Sequence, residues 1–520
     1  MRSDYDAVVI GSGFGGGVSA CRLAEAGWRV CVLERGRRFG GGDFADGPEQ
    51  APRLLWHPKV NPNGLYDLRL FGDVSVLCAA GVGGGSLLYA NVQLSARPDV
   101  FDRDWPADVD LESLEPYYRR VEEALEPVPT PDIPKTRAFA AATDAVGRPA
   151  ERTPVAVHFG EDRVNPFGGA HQKGCTHLGR CITGCPRQAK NSIDLTYLAR
   201  AERNGADVYP LQEVRRIGRR DGGRAGWRVE FRDLQYLTRG AVEAPIAILA
   251  AGTIGSTRLL MKNRRRLPRL SRALGSRFSA NGNALGAIFD PRTPEARGAQ
   301  IGYGPTITSK LDLWGERRFL IEDLGLPPSY MGLLAGLRGL DRLVGWRRQL
   351  LRFKQASARL GMSDRSVSPR QAKLRVGGPG GDALAFLFIG QDASDGRMRL
   401  TPLLRRFDVT FSKDDSRALF EGMHASLNEL SGAIGGTPFF SLDSGPLGQF
   451  VTAHPLGGCP MGGDPTRGAV DGYGRVYGYE DSLRVLDGSI VPSALGANPS
   501  KTIAALAERG VAQLIEERGR

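Results

Sequence analysis

YDAVVIGSGFGGGVSACRLAEAGWRVCVLE, residues 5–34, runs from an apolar, β-prone stretch through a cluster of glycines into helix-forming sequence and back to a second apolar stretch. Tyr5 to Ile10 predicts a strand, Val18 to Ala26 a helix and Arg29 to Leu33 another strand, so the opening reads as a βαβ unit. Gly11, Gly13 and Gly16 stand between strand and helix in GxGxxG spacing. Each missing side chain has a use there: a tight turn, close approach of backbone to a pyrophosphate, and close packing of the helix. Amide N–H groups and the positive end of the helix dipole would then stabilise the phosphates. Glu34 closes the second strand, where a carboxylate can accept hydrogen bonds from a ribose diol. That acid points to an unphosphorylated adenosine ribose, which fits NAD or FAD and argues against NADP.

Working outward, 520 residues exceed what one hydrophobic core usually organises and favour two domains or one large composite α/β body. A charge of +12 invites a nucleic-acid reading, yet the basic residues are scattered and no zinc finger, RNA-binding signature or lysine-rich tail accompanies them. Seven cysteines make an odd set unlike a disulfide framework, and the first strand begins too early for an export signal, so a cytoplasmic protein is expected. The apolar run near Leu384 to Gly390 is too short to span a bilayer.

The strand–turn–helix pattern recurs at 245–261, PIAILAAGTIGSTRLLM, and again near the C-terminus, where a strand ends at Asp487 and a helix starts at about Ser500. A nucleotide domain in three pieces follows: 1–124, 175–274 with a cysteine cluster, and 448–520. Proline, glycine and charge mark 125–174 as an excursion covering the body. Residues 275–447 form a substrate domain, with apolar runs such as Leu384 to Gly390 and Phe407 to Phe411 suited to an antiparallel sheet. Within it, Met331 to Phe353 alternates leucines with Arg338, Arg342, Arg347, Arg348 and Arg352, which reads either as a basic lid touching a membrane surface or as a solvated helix.

Four further segments, GVGGGSLLYANV (81–92), LAAGTIGSTRLL (249–260), HPLGGCPMG (454–462) and DGSIVPSALGANPSKTIAALAERG (487–510), together resemble the glucose-methanol-choline (GMC) family of FAD oxidoreductases, and within it the cholesterol oxidase branch. The resemblance runs from residue 5 nearly to the C-terminus and is faintest in the substrate domain. It implies an α/β protein: a discontinuous Rossmann-like FAD-binding domain with a substrate domain built on an antiparallel sheet covered by helices. It also implies cofactor contacts from Gly84, Gly85 and Asn91 in the glycine loop, Val214 in LQEV, and Asp487, Gly488 and Pro499 near the C-terminus. No histidine lies in 81–92, so the flavin is expected to be non-covalent.

Oxidising an alcohol moves a proton off oxygen and a hydride off carbon; flavin N5 takes the hydride and the protein manages the proton. The family's active-site histidine corresponds to His454, the expected proton acceptor, and its asparagine, which bonds the substrate oxygen, to Asn498. Glu322 in FLIEDLGLPP resembles the glutamate that shuttles a proton during double-bond isomerisation in cholesterol oxidases. Departures bear on the substrate: Tyr89 and Ala90 replace the usual asparagine and glycine, and Ser500 replaces an aromatic after the Asn-Pro pair.

Cys175, Cys181 and Cys185, followed by Pro186, resemble the end of a ferredoxin motif, but the spacing is too wide and a fourth cysteine is lacking. Zinc held by the three with His177 is chemically allowed; relatives carry this segment as a structural element, and no metal is expected. Three functions compete: oxidation of a hydrophobic secondary alcohol such as a 3-hydroxysteroid, with oxygen or another acceptor; a redox-neutral isomerase or cyclase that keeps FAD; and a noncatalytic flavin-bound interaction protein.

Overall fold

The computed structural model describes residues 1–2, 4–44, 50–220, 225–325, 327, 383–444 and 450–519. The leucine–arginine stretch 331–353 lies outside the described residues. Five strands form the central sheet in the order Asp207–Tyr209, Val30–Leu33, Ala7–Ile10, Ile246–Leu249 and Leu483–Val485, all parallel. The three inner strands, VCVL, AVVI and IAIL, are buried along their whole length, as a parallel sheet covered on both faces requires. Strands thus come from residues 7–33, 207–249 and 483–485, which makes the Rossmann-like domain discontinuous.

Helix Phe14–Glu25 begins directly after Gly13, earlier than the Val18 start expected from composition. Glycine is a poor helix former, but these glycines are needed for contact: a Cβ on Gly15 would sit 1.5 Å from the Leu486 carbonyl oxygen, and one on Gly16 would sit 2.0 Å from that of Gly11. Close packing overrides propensity. The same helix packs against Ser500–Glu517 and Tyr197–Arg203, while an antiparallel meander of Gln212–Arg219, Trp227–Asp233 and Arg239–Ala244 also contacts the sheet.

The second body is a six-stranded sheet in the order Thr437–Phe440, Ala284–Phe289, Ala383–Gly390, Phe319–Asp323, Ser309–Asp312 and Glu151–Arg152, every neighbour antiparallel. Helices Arg417–Ile434 and Pro134–Asp144 pack on it. Its edge strand and the second of these helices come from the 125–174 stretch. The run at Phe407 does not join this sheet: Phe407–Thr410 pairs with Arg397–Leu400 in a separate hairpin. The Met398 amide donates to the Gly275 carbonyl at 2.7 Å, and Phe278 and Gly396 exchange backbone hydrogen bonds at 2.9 and 3.0 Å, which holds that hairpin to the chain following helix Gly252–Lys262.

Candidate active site

One cavity of about 480 Å³ runs between the two bodies, walled by the Gly11 turn, Glu34 and Val214 as well as by His454 and Asn498. Gly11 has φ +100°, and a Cβ there would meet the Ala250 carbonyl oxygen at 2.3 Å. A Cβ on Gly84 would lie 2.6 Å from Gly13 Cα, so the dinucleotide turn and the 81–92 loop touch backbone to backbone. Ser12 joins them to the acid: its Oγ donates to Glu34 Oε2 at 2.7 Å and accepts from the Gly83 amide at 3.1 Å. The Ser12 and Gly36 amides also donate to Glu34, at 3.1 and 2.9 Å. Burial raises the pKa of this carboxyl, and those donors oppose the rise. Gly16 does not line the cavity; its part is the helix contact described above.

The 81–92 loop is held from behind by Lys190, whose Nζ donates to the carbonyls of Leu87, Tyr89 and Cys181 at 3.1, 3.0 and 2.8 Å. Burial lowers the Lys190 pKa to about 8. Tyr89, the departure noted above, uses its hydroxyl to reach the Asn191 carbonyl at 2.8 Å and its ring to meet Phe14 edge-on. Sequence reading missed Lys190, because nothing in CPRQAKNS sets this lysine apart. Gly84 and Gly85 line the cavity. Asn91 is fully buried at φ +70°, with neither side-chain amide atom partnered, and sits behind the wall.

From the C-terminal segment, Asp487 caps the short turn Gly488–Ile490, accepting from the Ser489 amide at 2.8 Å, and also accepts from the Gly252 amide at 2.9 Å. Ser256 and Ser489 hydroxyls complete its shell. With four donors on one carboxylate, Asp487 holds together two turns that line the cavity, including Gly488. Pro499 and Ser500 bring the start of helix Ser500–Glu517 to the same wall, with the positive end of its dipole.

His454 Nδ1 lies 3.0 Å from Asn283 Nδ2, and burial alone lowers the ring's pKa to about 4. Leu285, Leu387 and Glu322 stand opposite one another across three strands and so share the sheet face turned to the cavity. Glu322 is not on the wall itself: Asn498 stands in front of it, donating from Nδ2 to Oε2 at 3.2 Å. Glu322 Oε1 and Asn498 Oδ1 are buried without partners. His454 and Asn498 thus both line this cavity, and Glu322 lies one layer behind Asn498. Burial raises the Glu322 pKa to about 8, so the folded protein holds a proton there that the unfolded chain releases in the ordinary carboxylate range. Stability from this group is present below that range and is lost as pH rises towards 8. Glu322→Gln is expected to remove this loss, and denaturant titrations of both proteins at pH 5 and pH 9 check it.

Thr306 Oγ1, also buried without a partner, lines the apolar end with Val92, Ile307, Leu324 and Leu387. The residues present fit FAD: a glycine cradle that a Cβ would fill, an acid beside it, a helix N-terminus, and an unpartnered buried amide oxygen on Asn498 in the cavity lining. All seven cysteines are free. Among the described residues no three His, Cys, Asp or Glu side chains are arranged to hold a metal ion, and no helix is long and apolar enough to cross a membrane. Burial raises the pKa values of Cys175 and Cys185.

Cholesterol oxidases from Mycobacterium tuberculosis and Acinetobacter baumannii are 34% and 30% identical to the chain, covering 98% of it and 91% and 94% of themselves. A long-chain-alcohol oxidase of Arabidopsis thaliana is 26% identical over 96% of the chain and 66% of its own length. Among solved structures, pyridoxine 4-oxidase from Mesorbium loti superposes with a TM-score of 0.64 at 18% identity, covering 98% of this chain and 99% of that one, a likeness of fold. The GMC oxidoreductase family matches residues 5–264 and 394–507, and the chain belongs to that family, as an FAD-dependent oxidoreductase acting on CH–OH donors.

Proposed function

We propose that the protein oxidises a hydrophobic secondary alcohol of the 3-hydroxysteroid class to a ketone, using non-covalently bound FAD. The supporting observation is the cavity that His454 and Asn498 line together with the apolar residues Val92, Ile307, Leu324 and Leu387. The cholesterol oxidases among its relatives point to the same substrate class. Bound FAD supplies the two-electron acceptor for the carbinol hydrogen. His454, neutral at physiological pH because burial holds its pKa near 4, accepts the hydroxyl proton. Asn498 gives one Nδ2 hydrogen to Glu322 and keeps the second for the substrate oxygen. Glu322 in its carboxylate form takes a proton from the carbon beside the new ketone and returns it at the other end of the double bond when the substrate carries one to be shifted.

The test is anaerobic mixing of the yellow holoenzyme with a 3β-hydroxysteroid and with short alcohols. Bleaching with ketone formation, faster for the steroid, is expected. Product without bleaching would replace this reading with the redox-neutral one, and neither signal would remove both. Glu322→Gln should bleach normally and leave the double bond unshifted, and acid precipitation should release all the flavin.

A further inference from the structure

Among the described residues the His454 ring has one hydrogen-bond partner, the side-chain amide of Asn283, 3.0 Å from Nδ1. Asn283 is 3% exposed, and the other end of its amide, Oδ1, lies 3.0 Å from Thr452 Oγ1. Thr452 Oγ1 is also 2.9 Å from the Ala280 carbonyl oxygen and accepts from the His454 backbone N–H at 3.0 Å. The amide is thus gripped between ring and hydroxyl, and can meet the ring with either end.

The two orientations are not equivalent. If Nδ2 faces the ring, Nδ1 accepts, the ring's one proton sits on Nε2, and the single Thr452 hydrogen must serve either Asn283 Oδ1 or Ala280 O. If Oδ1 faces the ring, every group is satisfied at once: Nδ1–H donates to Oδ1, Nδ2 donates to Thr452 Oγ1, and Thr452 gives its hydrogen to Ala280 O. Only the second orientation leaves a lone pair on Nε2. Only it can hold the imidazolium formed when that lone pair takes a proton, because an imidazolium carries N–H on both nitrogens.

We propose that Asn283 is the positioning residue for His454: its amide oxygen keeps the ring proton on Nδ1 so that Nε2 takes the alcohol proton, while Thr452 holds the amide by its other end. In that step the alcohol O–H bond breaks and its proton goes to Nε2, the carbinol hydrogen leaves with its electron pair to the FAD acceptor, and Asn283 exchanges no proton. The inference rests on the reading of His454 as proton acceptor.

Holoenzyme labelled with 15N-histidine reports the tautomer directly. The oxidised wild type is expected to show a protonated Nδ1 and a bare Nε2 for His454. Asn283→Asp, an acceptor at both ends, should keep that tautomer. Burial is the cause of the ring's low pKa, and among the described residues no acid or base acts on it, so the new carboxylate would add a charge facing the ring. The acid limb of kcat/KM should therefore move up by about 1–3 pH units. Asn283→Leu should mix the tautomers and slow flavin bleaching about 10-fold to 100-fold with KM little changed, the base being worth about 10²-fold to 10⁴-fold. Thr452→Val gives a second route should Asn283→Leu fail to fold, and should also mix the tautomers. A wild-type ring protonated at Nε2, a tautomer unchanged in both Asn283→Leu and Thr452→Val, or an acid limb unmoved in Asn283→Asp overturns the assignment of Asn283. If His454→Gln bleaches as fast as wild type, the reading of His454 itself falls, whatever the tautomer.

Discussion

His454→Gln is expected to slow anaerobic flavin bleaching by about 10²-fold to 10⁴-fold, the range a positioned general base contributes. That corresponds to roughly 3–5 kcal/mol of barrier. Stopped-flow mixing with the fastest alcohol measures it, and a Tm close to wild type separates lost chemistry from lost structure. The fold should tolerate the change, because glutamine can keep a hydrogen bond to Asn283 and loses no charged interaction: the ring is buried neutral. A rate within a few-fold of wild type would remove His454 from the mechanism.

The second large effect belongs to the backbone. Gly11→Ala places a Cβ 2.3 Å from the Ala250 carbonyl oxygen and 2.7 Å from its carbon, both fixed within the central sheet's own turns, at φ +100°. Neither atom is the end of a side chain that can swing away. We expect a loss of at least about 3 kcal/mol, purification without yellow colour, and a flavin-to-protein ratio near zero. Gly85→Ala is the matched control: a Cβ there meets nothing within 4 Å and φ is not positive. Its Tm should stay near wild type, so any flavin loss there reports on cofactor contact alone. Equal destabilisation of the two variants would show that the overlap at Gly11 relaxes freely.

What sequence alone reveals here is local chemistry with fixed spacing. Gly11, Gly13 and Glu34 belong to one βαβ unit, where period, turn and acid all lie within thirty residues, and they meet in the fold through Ser12. The parallel sheet is legible for the same reason, since each of its inner strands is an unbroken apolar run. Asn283 and Thr452 were invisible: each is a common polar residue whose meaning comes from a partner brought near by folding. Lys190 is the same case, since its three carbonyl partners come from two loops. Glu322 was found by likeness to a family motif, but its place behind Asn498 depends on the register of strand Phe319–Asp323 against Ala383–Gly390, which no periodicity discloses. The two-residue edge strand Glu151–Arg152 is too short to leave any period.

Interleaving strands from residues 7–33, 207–249 and 483–485 in one sheet has a consequence for biogenesis. Strand Leu483–Val485 pairs with Ile246–Leu249, and Gly15 is sealed by the Leu486 carbonyl. A nascent polypeptide on the ribosome therefore carries an unclosed sheet edge and half a cradle until almost all of these residues have been translated. Flavin capture therefore waits for strand Leu483–Val485 and helix Ser500–Glu517, and cells starved of riboflavin should accumulate full-length apoprotein rather than stalled fragments.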